Sequence, residues 1–272
     1  MHPVKGAAPE TMVLLEAAKT AVREAGAVIL ACPPPQGGFP ANGQTAADRQ
    51  AHRTITEVLS RLAPHLPVAS EEGDRHVVAG RYWLVDPLDG TKEYVAGNGQ
   101  YTVNVALVED GYPVLGAVYV PVADILYWGA LNLGAWVQRD SETRPLPVEA
   151  QGEVLHVLTS RSHSSPAMQR AVGTLRAEGA VIEHLGSSWK FVRVAEGSAD
   201  LYVRLSPTYA WDTAAGQCLV EAAGGFVGGP GGRLRYAVSD ALTPGFIAAR
   251  SAKVWHDWAE TLELAQVSEG GG

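Results

Sequence analysis

A chain of 272 residues, 46% apolar and 18% charged, is long enough to bury a sizeable core in one large or two closely packed domains. Its formal net charge of −8, with no Lys/Arg run, speaks against a nucleic-acid surface, whose affinity rests on clustered cations. No apolar run reaches the roughly 20 residues that span a bilayer, and Cys32 and Cys218 form neither a CxxC nor a metal spacing, so no integral membrane segment and a reducing cytoplasm are expected.

The segment Met1-His-Pro-Val-Lys-Gly6 carries no apolar signal core. From Thr11 to Ala31 the apolar residues Val13, Leu14, Ala17, Ala18, Ala21, Val22, Ala25, Val28 and Ile29 recur at i, i+3, i+4 and predict an amphipathic helix. Cys32-Pro-Pro-Pro-Gln-Gly-Gly-Phe-Pro40 ends it. Thr45 then reads as an N-cap, with Asp48 in a capping-box position and a second helix through Ile55, Val58, Leu59 and Leu62. Strands follow at Val68–Ser70, Arg81–Val85, Tyr101–Glu109, Tyr112–Val120, Ile125–Trp128 and Gly134–Val137. The strict alternation in Tyr101–Leu107 predicts a half-buried antiparallel strand, and Asp110-Gly111 a hairpin turn.

After about residue 150 the rhythm changes. Strands at Val154–Thr159, Ala180–His184 and Ala199–Leu205 alternate with helices at Ser165–Glu178, Ser187–Glu196 and Asp212–Ala223, as in an α/β layer. Two lobes are expected, 1–150 and 151–272, meeting near residues 140–153. Gly224-Gly-Phe-Val-Gly-Gly-Pro-Gly-Gly232 reads as a hairpin loop, because Pro230 and the lack of a following helix do not suit a dinucleotide cradle. The tail Ser268–Gly272 is expected to fray.

The candidate chemistry sits in acidic residues at element ends. In Asp86-Pro-Leu-Asp89-Gly90-Thr91, Pro87 is expected to stop the preceding strand Tyr82–Val85 and turn the chain. Such a turn aims Asp86, Asp89 and the Leu88 carbonyl at one point, the all-oxygen surround that Mg²⁺ prefers. Gly90 then allows close approach of backbone, so that the amides of Gly90 and Thr91 face a phosphate oxygen. The plainer reading makes Asp-Pro a strand stop and Asp-Gly an ordinary turn. Glu71-Glu72 after a short strand is either a solvated loop or a ligand at a strand end. Asp212, like Asp48, reads equally as a helix cap.

Glu71-Glu72, Trp83-Leu-Val-Asp-Pro-Leu-Asp-Gly-Thr-Lys-Glu-Tyr94 and Trp211-Asp-Thr-Ala-Ala-Gly216 together resemble the lithium-sensitive inositol monophosphatase superfamily. Within it, Thr91-Lys-Glu-Tyr94, Asn98-Gly-Gln-Tyr-Thr-Val-Asn-Val-Ala-Leu107 and Ser160-Arg-Ser-His163 are similar to the CysQ-type 3′(2′),5′-bisphosphate nucleotidases. The Thr-x-Asn-Phe continuation usual in inositol monophosphatases is absent. The resemblance runs from about Ala17 to Ala249 and implies a layered αβαβα sugar-phosphatase-like fold, with two sheets sandwiched between helices.

By position, the resemblance implies Glu71, Asp86, the Leu88 carbonyl, Asp89 and Asp212 as ligands of two or three Mg²⁺ ions. It makes Asp48, Thr91 and Glu71 the group that activates the attacking water, for in-line displacement at phosphorus. Gly90, Thr91, His163, Ser187, Lys190 and Arg204 are implied as substrate contacts, the cations suiting a second phosphate. The implied reaction is hydrolysis of 3′-phosphoadenosine 5′-phosphate to AMP and phosphate, by a monomer or homodimer. Inositol phosphate and NADP are alternative substrates on the same scaffold, and a silent nucleotide or metal sensor is a third reading. Phe39-Pro-Ala-Asn-Gly-Gln44 departs from the lysine and Ser-Pro-Val common before Thr-Ala-Ala-Asp, which bears on the third ion. Trp189 replaces a smaller apolar residue and suits either a core position or a stack on a base.

Overall fold

A computed structural model describes residues 8–41, 43–73, 80–148, 152, 154–161, 165–236 and 242–262. The N-terminal hexapeptide, His163 and the tail 268–272 lie outside the described residues.

The two N-terminal helices form as their sequences dictate: α1 spans Pro9–Ala31 and α2 Ala46–Leu62. Thr45 caps α2 through a full capping box with Asp48. The first sheet is a seven-stranded meander of β1 (Val68–Ser70), β2 (Arg81–Asp89), β3 (Thr102–Glu109), β4 (Tyr112–Val120), β5 (Ile125–Ala130), β6 (Gly134–Arg139) and β7 (Glu142–Pro145). Every neighbouring pair is antiparallel except β1 on β2. The short helix α3 (Thr91–Val95) follows β2 directly.

The second sheet has the order β13-β12-β15-β10-β8-β9, formed by β8 (His156–Ser160), β9 (Val181–Leu185), β10 (Leu201–Arg204), β12 (Phe226–Gly229), β13 (Gly232–Arg233) and β15 (Phe246–Ala249). The strands β8, β9 and β10 run parallel, while β15, β12 and β13 join antiparallel. A separate two-stranded ribbon pairs β11 (Thr208–Tyr209) with β14 (Leu242–Thr243). The remaining helices are α4 (Pro166–Ala177), α5 (Trp189–Glu196), α6 (Ala214–Ala222) and α7 (Ala252–Ala259). The glycine-rich stretch folds as the β12–β13 hairpin.

Three apolar clusters define five layers. The helices α1 and α2 cover one face of the first sheet through Ala18, Val22, Ile55 and Leu59 against Trp83, Val105 and Leu107. A central cluster joins the other face to α5, α6 and the second sheet through Leu84, Val118, Phe191, Leu219, Tyr202 and Phe246. The rings of Phe191, Tyr202 and Phe246 lie within 5.0–5.3 Å of one another and tie α5 to that sheet. On the outer face Val157, Leu201 and Ile247 pack under α4 and α7. The stack is therefore αβαβα, with α5 and α6 as the middle layer.

Two expectations need correction. First, β3 is buried on both faces up to its last residue. Its odd positions Val103, Val105 and Leu107 meet α1 and α2, and its even positions point into the middle layer, where polar Thr102 and Asn104 are 0% and 1% exposed. Polar alternation there marks an internal network rather than water. Second, the helices expected from Ser187 and Asp212 start later. Ser187 has φ +51°, outside helical space, and Ala210–Asp212 forms a 3₁₀ turn before α6. Neither residue is the cap of the helix it precedes.

Candidate active site

Pro87 does not end β2. The ladder to β3 holds through Asp86 opposite Asn104, skips, and resumes with Asp89 opposite Thr102. Its other neighbour, β1, pairs only with Trp83–Val85, so the missing proline N–H leaves no partner unserved. The Leu88 N–H turns inward and donates to Asp86 Oδ1 at 3.0 Å. In a regular strand Asp86 and Asp89 would point to opposite faces; the bulge sets them on one side.

Asp212, at the end of the 3₁₀ turn, completes the group. One carboxylate oxygen from each of Asp86, Asp89 and Asp212 lies within 4.8 Å of the others. Asp89 accepts from the Ser188 N–H, and Asn104 Nδ2 reaches it at 3.4 Å. Thr102 and Asn104 in turn bond the Ser188 hydroxyl at 2.7 and 2.6 Å. The Thr208 hydroxyl donates to Asp212. Glu71, whose N–H donates to the Val85 carbonyl at 3.2 Å, lines the same cavity, with Leu88 and Gly90.

Crowding shows in the protonation equilibria. Burial, then the charges of Asp212, Glu72, Asp89 and Asp48, push Glu71 up to about 8. Asp89 rises to about 7 through burial and Asp212, against the opposing pull of Lys190, the Ser188 N–H and Asn104. Burial likewise raises Asp86 well above the usual carboxylate range, with Glu71, Asp89 and Asp212 adding to it. Asp212 is raised by burial despite the Thr208 hydroxyl and Arg204. An oxygen-only set of carboxylates that resist ionising together fits a hard divalent cation, which supplies the missing positive charge.

Thr91 opens α3 behind Gly90, whose φ of +92° and neighbours Gln100 O and Ser187 Cβ, 3.1 and 3.3 Å from where a Cβ would stand, require glycine. The Thr91 hydroxyl lies 3.1 Å from Asp48 Oδ1 and 3.2 Å from the Leu88 carbonyl. The second Asp48 oxygen accepts from the Thr45 N–H at 2.7 Å. Asp48 thus caps α2 and holds Thr91 with the same carboxylate.

The cavity, about 470 Å³ in volume, is also lined by Ser160 of β8, Arg161 after it, Ser187 just before α5, Lys190 at the start of α5, and Arg204 of β10. Lys190 is 3% exposed; its Nζ donates to the Leu185 carbonyl at 3.1 Å and to that of Ser187, bracing the turn that carries Ser188. Arg204 Nη1 reaches Ser160 Oγ at 3.4 Å. Trp189 is half-buried against the central core, its core reading. The supporting set Thr102, Asn104 and Ser188 escaped the sequence reading; its only signal is two polar residues at even positions of an otherwise apolar strand.

Residues 12–267 match the model of the inositol monophosphatase family. The chain belongs to the inositol monophosphatase family. It is 43% identical over 208 residues to a 3′(2′),5′-bisphosphate nucleotidase CysQ of Salmonella typhimurium, covering 74% of this chain and 83% of that one. The CysQ of Buchnera aphidicola is 39% identical over 204 residues, 73% and 76% of the two chains. Among solved structures, CysQ from Bacteroides thetaiotaomicron superposes with a TM-score of 0.79 at 34% identity, over 89% of this chain and 98% of its own. An inositol monophosphatase from Anabaena gives 0.73 at 25% identity, over 95% and 96%. Membership of the inositol monophosphatase family makes the chain a phosphatase. No described helix is long and apolar enough to cross a membrane.

Proposed function

We propose that the chain is a magnesium-dependent 3′(2′),5′-bisphosphate nucleotidase that converts 3′-phosphoadenosine 5′-phosphate to AMP and phosphate. The observation that carries this reading is one cavity that holds both signs of charge: carboxylates Glu71, Asp86, Asp89 and Asp212, and the guanidinium groups of Arg161 and Arg204. A monophosphate ester leaves such cations without a partner, whereas a bisphosphate offers them its second phosphate. The likeness to the two CysQ proteins supports the same choice.

Glu71, Asp86, Asp89, Asp212 and the Leu88 carbonyl would hold the cations. Bound there, magnesium supplies the Lewis acidity and charge that phosphomonoester hydrolysis needs. The residues do the rest. Thr91, fixed by Asp48, orients a water towards phosphorus, and one carboxylate of the pair Asp48 and Glu71 accepts its proton. The water oxygen forms the new P–O bond as the bond to the ribose oxygen breaks, and that oxygen leaves as the nucleoside hydroxyl by taking one proton from solvent, in balance with the one given to the carboxylate. The Gly90 and Thr91 N–H groups would bind the phosphate oxygens, and Ser187 and His163 complete the proposed substrate contacts. A cytoplasmic setting belongs to the same proposal and agrees with two unpaired cysteines, Cys32 and Cys218.

Phosphate release from the bisphosphate nucleotide, inositol 1-phosphate and NADP, each with and without Mg²⁺ and Li⁺, tests the reading. The nucleotide is expected to be preferred, with turnover lost without Mg²⁺. Preference for inositol phosphate, or full turnover after chelation, overturns it.

A further inference from the structure

Three large apolar side chains stand exposed at the cavity that holds the charged groups of the site. Phe39 is 46% exposed, Tyr209 42% and Leu242 52%, and each lines the cavity that holds Asp86, Asp89 and Asp212. The hydrolysis uses none of them. Apolar side chains left in water beside a polar site mark where an apolar part of a ligand rests.

Tyr209 is built for a flat partner. It faces Leu242 across the β11–β14 ribbon, which the Thr243 hydroxyl closes by donating to the Thr208 carbonyl at 3.0 Å. Its ring stacks on Trp211 with centroids 4.8 Å apart and planes 9° apart. Trp211 is 3% exposed, so the tyrosine ring is held flat against a buried indole and owes its exposure to the side away from it. The residue before it, Thr208, bonds Asp212, so the ribbon that presents the ring also orients a carboxylate of the site. A rigid ring with one open face is the platform on which nucleobases stack. Trp189, the other aromatic that sequence offered for this role, packs into the core.

We propose that Tyr209, with Leu242 opposite it on the ribbon, carries the planar base of the substrate, and that this contact sets the preference for nucleotides over phosphate esters without a base. The proposal rests on the nucleotidase reading and deepens it.

The test is a ratio. kcat/KM for the bisphosphate nucleotide relative to inositol 1-phosphate is measured in wild type, Tyr209→Ala and Tyr209→Trp. The ratio is expected to fall about tenfold in Y209A, roughly 1.4 kcal/mol, and to be regained in Y209W. Equilibrium dialysis of AMP against ribose 5-phosphate gives the corresponding binding ratio without turnover, and so serves for a variant that has lost catalysis. Ratios unchanged by Y209A overturn the platform. A wild type that takes inositol phosphate and refuses nucleotides instead overturns the function on which it rests, so the two failures are separate results.

Discussion

Asp89 concentrates the chemistry of the site in one side chain. It lies within reach of Asp86 and Asp212, accepts from the Ser188 N–H, and is pushed up to about 7 by burial and by Asp212. Asn at this position keeps the shape and an acceptor oxygen but removes the charge. Asp89→Asn is therefore expected to lower kcat by on the order of 10²–10³, while the metal-free protein melts at a higher temperature than wild type because a like-charge contact is gone. Steady-state phosphate release and thermal melts in chelator check both parts; a fully active variant would refute Asp89 as a ligand. Asp48 shows a different economy. Sequence offered it as a cap and the resemblance as a catalytic group; the capping box bears out the first, and the same carboxylate also accepts from the Thr91 hydroxyl.

Among the elements, the most legible were those whose burial has a single period. The helix α1 and the strands β4 to β6 follow their apolar patterns closely. Legibility failed where a local rule met a tertiary exception. Pro87 looked like a strand stop because proline cannot serve a ladder, yet β1 is too short to ask for its N–H. Thr102 and Asn104, at even positions of β3, looked solvated because they are polar, yet they meet Ser188. Late elements such as β15 and α7 carried too little pattern to be singled out. The turn between β9 and α5 is where the two sheets are keyed together: the Gly186 N–H donates to Gln100 Oε1 at 3.0 Å, and a Cβ there would stand 2.6 Å from the Gln100 carbonyl and 2.7 Å from Glu93 Cγ. Gly186→Ala is expected to destabilise by about 1–3 kcal/mol and to lower kcat, since shifting the turn moves the Ser188 N–H off Asp89. Melting temperature and kcat measured together check this; unchanged values for both would show that the turn has slack.

At the scale of the molecule, the carboxylate cluster sets how stability responds to pH. Glu71 and Asp89 have ordinary values near 4.5 and 3.8 and folded values of about 8 and 7, so the metal-free native state holds more protons than the unfolded chain between those limits. Stability therefore falls as pH rises. Below 6.5 His52, whose value burial lowers, works in the opposite sense, so the clean window lies above it. In chelator, the melting temperature is expected to drop from pH 6.5 upwards and to level off above about pH 8. Added Mg²⁺ should reverse the drop, with an apparent affinity that rises over the same window as the protons leave. A melting temperature that climbs with pH in chelator would contradict the crowding of these carboxylates.

The middle layer has a consequence for how variants of this protein will be read. Two of the clustered carboxylates ride on the first sheet and the third on the turn into α6, so their spacing is set by how α5 and α6 seat between the sheets. A substitution of Phe191, whose ring packs on Tyr202 and Phe246 and makes no hydrogen bond to a carboxylate, would loosen that seat and blur the spacing. In a genetic screen it would score as an active-site lesion. Loss-of-function alleles are therefore expected to fall in two places that look unrelated on the sequence, the acidic motifs and the aromatic middle of α5, with one geometric cause.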